Sequence, residues 1–199
     1  MTLLNRVSIS LIFLFMSFGL QAETEDPGKI VKQTVEQVLN ILRDDKLDEK
    51  QKKEKISDIA KQRINFKDMS RRILAVNWRK ASEEQRTEFT LLFQEILLNT
   101  YWIRMRQYAG ERVEYIAVSK AEDVYSTVDT IIVRDQDRVE IPLSYRMRRF
   151  VDIWYAYDFT VEYLSLVQSY RNEYRATVKN HGIDGLLDLM QQEVESYDA

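Results

Sequence analysis

Apolar residues recur along this chain with two periods, and the switch between them divides it. From Asp26 onward, Ile30, Val31, Thr34, Val35, Val38, Leu39 and Leu42 fall at helical spacing. Asp26-Pro27 opens that helix with an N-cap carboxylate and a proline in the first turn. A charged stretch, RDDKLDEKQKKEK, reads as a solvated turn or face leading to a second helix with Ile56, Ile59, Ala60 and Ile64. FKDMSRRILA then forms a short helix opened by Asn65. Ser82-Glu83-Glu84-Gln85 fits a capping box, so a long helix starts there and is expected to run to about Ala109, stopping at Gly110.

Beyond Gly110 the period becomes two. Val139, Ile141, Leu143, Tyr145 and Met147 alternate with polar neighbours and predict a strand with one apolar face. Ile153, Tyr155, Tyr157, Phe159 and Val161 repeat the pattern. Earlier strands are expected near 111–119 and 123–134, with a hairpin turn at 135–137. Pro142 argues for an edge position or a bulge. Two helices, about 165–180 and 183–196, close the chain around His181-Gly182. Helices, an antiparallel meander of about four strands, then helices again make an α+β fold. The helical part covers about 26–110 and 165–196, the sheet about 111–162.

One element is odd against this frame. The helix FTLLFQEILLNTYWIRMRQY, residues 89–108, is apolar over most of its circumference; Glu95, Asn99 and Arg106 mark a narrow polar sector. A surface helix needs an apolar stripe of only about 100°. It is expected to be the central core helix, with one face on the sheet and another on the first helices. Its surplus apolar surface leaves room for a cavity.

Composition narrows the classes. MTLLNR, an uncharged VSISLIFLFMSFGL and Gln21-Ala22 read as a secretory signal peptide cleaved after about Ala22. The apolar run is shorter than the roughly 20 residues of a membrane span. A single domain of residues 23–199 follows. Its 28 basic and 32 acidic residues give a net charge of −4, which disfavours generic nucleic-acid binding. Without cysteine there is no thiol chemistry and no disulfide. An exported, cysteine-free chain fits a periplasm.

Catalytic chemistry finds little footing. The one histidine, His181, sits beside Gly182 at a helix end. No GxSxG, GxGxxG or GxxxxGK[ST] occurs, no zinc-ligand set is present, and neither metal nor cofactor is expected. One enzymatic alternative stands: an isomerase-like pocket in which Asp129 or Asp158 acts as a buried base beside Tyr115, Tyr125, Tyr145, Tyr155 or Tyr157.

NWRKASEEQRTEFTLLFQEILLNTYWIRMRQYAGERVEY resembles the hallmark segment of the MlaC, or toluene-tolerance, family of periplasmic lipid carriers. The shared positions are Trp78-Arg79, Ala81-Ser82, Gln85-Arg86, Phe89, Phe93, Tyr101 and Tyr108-Ala109-Gly110-Glu111. INFKDMSRRIL upstream and IWYAYDFTVEYLSLVQSYRNEYRATVKNHGIDGLLDLM downstream extend the likeness to roughly residues 27–192. Tyr163 and Ala75 stand where that family commonly has glycine.

The resemblance implies a curved sheet like the nuclear-transport-factor cone, packed on a helical subdomain. It implies a phospholipid ligand, with acyl tails between sheet and helices and the headgroup outside. It implies transport between an outer-membrane lipoprotein–porin complex and an inner-membrane ABC transporter with its substrate-binding domain, maintaining lipid asymmetry. Hopanoid cargo is an alternative. A monomer is expected. The residues expected to line the tail cavity are Leu92, Phe93, Ile96, Leu97, Tyr101, Met105, Leu143, Tyr145, Ile153, Tyr155, Tyr157 and Phe159. Arg71, Arg72, Arg79, Arg146, Arg148 and Arg149 are the expected headgroup or partner contacts.

Overall fold

The structure is a computed structural model and describes residues 25–107, 110–134 and 136–197. The expected signal peptide, the helix end expected at Ala109 and Asp135 of the expected hairpin turn lie outside the described residues.

Short polar side chains set the helix starts. Helix α1 (Pro27–Arg43) is capped by Asp26, whose carboxylate accepts the Gly28 and Lys29 N–H groups. Helix α2 (Glu49–Arg63) opens with a capping box of Asp48 and Gln51 and buries only Ile56. Helix α3 (Phe66–Leu74) is capped by Asn65, and α4 (Val76–Lys80) is a short turn after it. Helix α5 (Glu83–Met105) carries the expected capping box, Ser82 Oγ accepting from Gln85 N at 3.1 Å and Gln85 Oε1 from Ser82 N at 2.9 Å. Helix α6 (Leu166–Ser196) breaks at Gly182, where φ is 72°. The backbone at Gly182 is non-helical, so the two halves of α6 are the two closing helices expected from sequence, meeting there.

The sheet is an antiparallel meander in the order β1-β2-β3-β4-β5. Its strands are β1 (Arg112–Glu122), β2 (Tyr125–Arg134), β3 (Val139–Phe150), β4 (Ile153–Val161) and a two-residue β5 (Leu164–Ser165). The fold is α+β, with a fifth short strand beyond the four expected. Two register shifts in β1 and one between β3 and β4 bend the sheet. Pro142 lies at the end of the β3–β4 ladder, whose first pair is Leu143 with Val161; its carbonyl accepts from Glu162 N at 2.9 Å, and the donor it lacks is missing only at that end.

Two cores result. A helical one joins α3, α5 and α6 through Phe66, Met69, Ile73, Phe89, Phe93, Ile96, Tyr174, Leu186 and Met190. The other lies where α1 covers the inner face of the sheet, with Ile30, Val31, Val128, Met147, Trp154 and Ala156. Ile64 and Phe159 pack against both. Asn65 N donates to Ala156 O at 2.8 Å, which ties the α2–α3 junction to the β4 edge.

Helix α5 is the central core helix, as expected, but its partners differ. It packs mainly on α3 and α6, not on the sheet. Helix α1, not α5, covers the inner face.

Candidate functional site

Helix α1 does not close fully on the sheet. At its first turns a cleft of about 370 Å³ remains, lined by Asp26, Gly28, Lys29, Lys32, Tyr115, Ile116, Ala117, Val118 and Val128. Val128 is 1% exposed and belongs to the sheet core, so the cleft ends on hydrocarbon. From that point apolar side chains continue inward without a break. Tyr145 packs at the edge of the same core and meets Phe159 edge-to-face at 5.7 Å. Phe159 in turn touches the helical core that holds Leu97 and Tyr101.

The mouth is basic. Lys29 and Lys32 line it, and Lys32 Nζ lies 6.0 Å from the Tyr115 ring centre. Burial, with the nearby Glu36 charge, pushes the Tyr115 hydroxyl up to about 12. Burial also raises the Tyr145 hydroxyl, with Tyr115 as a lesser cause. Both phenols stay neutral at physiological pH, as an apolar lining needs.

A larger cleft of about 590 Å³ lies between the start of α5 and α6, lined by Glu83, Glu84, Thr87, Glu88, Leu91, Leu92 and Gln191. Three carboxylates make it the wrong surface for an anionic lipid group. Its size does not outweigh that chemistry, and the α1 cleft is the better candidate.

The expected lining residues separate into three groups. Leu92, Phe93, Ile96 and Leu97 are buried in the helical core, with Phe93 and Ile96 at 0% exposure. Phe93, Ile96 and Leu97 fill a closed interior, while Leu92 also borders the α5–α6 cleft. Tyr101 packs against that core and Met105 is half-buried at the end of α5. Leu143 and Tyr145 share the inner sheet face with Met147. Phe159 joins them there.

Ile153 and Tyr155 do not. Cross-strand pairing puts Tyr155 opposite Arg148 and Ile153 opposite Phe150, on the outer face, whereas Trp154 and Ala156 point inward. The cause is the register shift. Arg146 pairs with Asp158 and Met147 with Ala156, so Tyr157 is an extra residue that inverts the alternation. A strict period of two across β4 therefore assigns its first half to the wrong face.

Tyr157 belongs to a second constellation. The Arg72 guanidinium lies 4.1 Å from its ring centre and that of Arg146 lies 5.6 Å away. Arg148 sits over Tyr125, and Tyr125 meets Tyr157 edge-to-face. Asp68 accepts from Arg71 at 2.7 Å, from Arg72 at 3.3 Å and from Arg148 at 3.5 Å. Burial alone would raise the Asp68 carboxyl; the Arg71 hydrogen bond and the Arg72 and Arg71 charges outweigh it and hold it below the ordinary carboxylate value. Four of the six expected arginines thus converge on the outer face. Arg149 stacks over Trp154 at 5.9 Å on the inner side, and Arg79 is exposed on α4.

The isomerase geometry is not assembled. Asp158 is occupied by Ser165 Oγ at 2.7 Å, Val167 N at 3.0 Å and Arg146 at 3.6 Å, and so anchors the start of α6. Asp129 accepts from Ser144 Oγ at 2.6 Å, and neither carboxylate lines the two clefts.

Residues of the α1 cleft escaped the sequence reading as a site. Ile30 and Val31 stood out only as helix periodicity. The inner face of β2 reads Ser126, Val128, Thr130, and its two hydroxyls hide its burial. Ser126 and Thr130 donate to the Ser119 and Leu143 carbonyls, which lets them sit inside.

No helix among the described residues is long and apolar enough to cross a membrane. A family model described as MlaC protein matches residues 32–192. Among solved structures, a phospholipid-binding protein from Ralstonia solanacearum, determined in complex with a phospholipid, superposes with a TM-score of 0.78 at 22% identity. The match covers 88% of this chain and 100% of that one. A search of curated proteins finds no match.

Proposed function

From the premise that this chain belongs to the MlaC family, we propose that it is a periplasmic phospholipid carrier whose acyl tails enter between α1 and the inner face of the sheet. The observation that supports the reading is that the α1 cleft ends on Val128 of the sheet core, against which Tyr145 and Phe159 pack, and that Phe159 also packs against the helical core. Lys29 and Lys32 stand at its mouth, where a lipid phosphate would emerge. The solved neighbour holds a phospholipid on the same fold.

Energetics sets what such a carrier must do. Two tails of about 15 methylenes each cost about 24 kcal/mol to expose to water, at about 0.8 kcal/mol per methylene. The interior has to replace the bilayer almost completely. A cleft of about 370 Å³ is at the low end for a small-molecule site and too small for two tails. Loading therefore requires α1 to move away from the sheet. The faces it would uncover, Ile30 and Val31 on one side and Val128, Met147 and Trp154 on the other, are apolar throughout. Met147 adds an adaptable side chain. In the closed arrangement, hydrocarbon of the protein itself fills the space between α1 and the sheet.

The same cost argues against release into water. Loading and unloading take place on partners: an outer-membrane lipoprotein–porin complex at one end, and the substrate-binding domain of an inner-membrane ABC transporter at the other. Leu97, Tyr101, Tyr145 and Phe159 are the expected residues best placed to meet the tails. Phe93 and Ile96 supply the rigid helical core behind them.

Mass spectrometry of lipids extracted from the purified, signal-cleaved protein tests the reading. Phospholipid is expected at near one per chain. A folded protein that carries none, and takes none up from vesicles, overturns it. Hopanoid in place of glycerophospholipid would keep the carrier and change the cargo.

A further inference from the structure

The outer-face arginines have more donors than their neighbours use. Arg72 is the hub. It shares Asp68 Oδ2 with Arg148, at 3.3 and 3.5 Å, and it shares the Tyr157 ring with Arg146. Arg71 closes the group through the other Asp68 oxygen. Two carboxylates, Asp68 and Asp158, face these four guanidiniums, so two positive charges are uncompensated within the group. The Nε–H groups of Arg72 and Arg148 are buried and have no hydrogen-bond acceptor. Those two donors are out of reach of solvent, so it is the outer guanidinium nitrogens that can meet an oxyanion, which takes several donors at once. The side chains are nonetheless reachable: Arg72 is 29% exposed, Arg148 33% and Arg146 48%. Tyr125 and Tyr157 hold two of the guanidinium planes from beneath, and Arg171 donates to the Arg72 main-chain carbonyl, fixing the turn that carries it.

We propose that Arg72, Arg146 and Arg148, with Arg71 at the rim, form a binding site for a phosphate group on the outer face of the sheet. The site is distinct from the tail cleft. Arg146 and Arg148 alternate with Tyr145 and Met147 on β3, so they point away from α1. A lipid held in the cleft does not place its own headgroup there. The site accepts a phosphate from another source, a headgroup at a bilayer surface or free phosphate, and it stands whether or not the carrier reading does.

Titration calorimetry of the signal-cleaved chain with inorganic phosphate, at constant ionic strength in chloride, tests this. Saturable one-site binding is expected, weakened about tenfold or more in Arg146→Gln and in Arg148→Gln. The exposed Lys179→Gln on α6 controls for loss of one charge and should leave it unchanged. Thermal melts establish that each variant is folded; Arg146, about half exposed, is the substitution least able to disturb the core. Co-sedimentation with phosphatidylglycerol vesicles separates the sources. Retention that is lost in the same two variants assigns the site to a headgroup. Phosphate binding without such retention assigns it to free phosphate. No saturable phosphate binding together with no arginine-dependent retention overturns the proposal, as does an equal loss in Lys179→Gln.

Discussion

Two residues, Ala75 and Tyr163, sit in backbone conformations that suit glycine better. Ala75 has φ 50° and ψ −115°, and Tyr163 has φ 69°. These are backbone conformations that favour glycine, the residue common at both places in the family. Glu162 and Tyr163 together form the two-residue turn between β4 and β5, both at positive φ, where Asn-Gly is the preferred pair. The turn keeps its shape and the side chains bear the strain. Ala75→Gly and Tyr163→Gly should each stabilise the protein by about 1 kcal/mol, since relief of about 1–3 kcal/mol of strain outweighs glycine's added unfolded-state entropy. Urea unfolding at pH 7 measures it; an unchanged or lower midpoint for both would contradict the backbone assignment.

Asp68 gives a pH-dependent counterpart. Its folded pKa is depressed, so its contribution is fully present above the unfolded value of about 3.9 and is lost as pH falls through the lower folded value. Asp68→Asn should cost about 2 kcal/mol at pH 7, the scale of a charged hydrogen-bond set. The difference from wild type should shrink as pH falls below the unfolded value and through the lower folded one. A gap that persists there would mean that shape, not charge, is what Asn lacks.

At the scale of elements, the legible features were those with a local physical signature. Capping boxes, Asp26-Pro27 and the switch from period 3.6 to two placed α1, α5 and most strand limits within a few residues. What stayed hidden depended on register. The extra residue at Tyr157 moves Trp154 and Ala156 inward and Tyr155 outward, and no alternation score contains that insertion. The choice of cover for the sheet was hidden as well. The broad apolar surface of α5 suggested contact with the sheet, yet α3 and α6 consume it through Phe66, Met69, Tyr174, Leu186 and Met190. The proposed tail site is correspondingly only partly readable: Tyr145 and Phe159 were among the expected lining residues, while Lys29 and Val128 required the fold. Gly28 illustrates why. A Cβ there would lie 2.8 Å from Val118 Cγ2, so glycine lets the first turn of α1 approach β1.

The whole molecule then reads as two cores of different permanence. The helical core is closed, with Phe89, Phe93 and Ile96 at 0% exposure, and acts as a rigid block. The inner face of the sheet core is covered chiefly by α1, with Ile64 at its side, and the proposed carrier exchanges the α1 contact for lipid hydrocarbon. Covalently fixing that contact is therefore the most direct test. The chain has no cysteine, and the Gly28–Val118 approach suits a disulfide, since Cβ of one cysteine lies about 3 Å from the partner sulfur in that bond. Lipid uptake from vesicles should be measured for the Gly28→Cys, Val118→Cys double variant, oxidised and then reduced. The oxidised form should take up no phospholipid, and reduction should restore uptake. Equal loading in both states, with the disulfide verified, would contradict entry between α1 and the sheet.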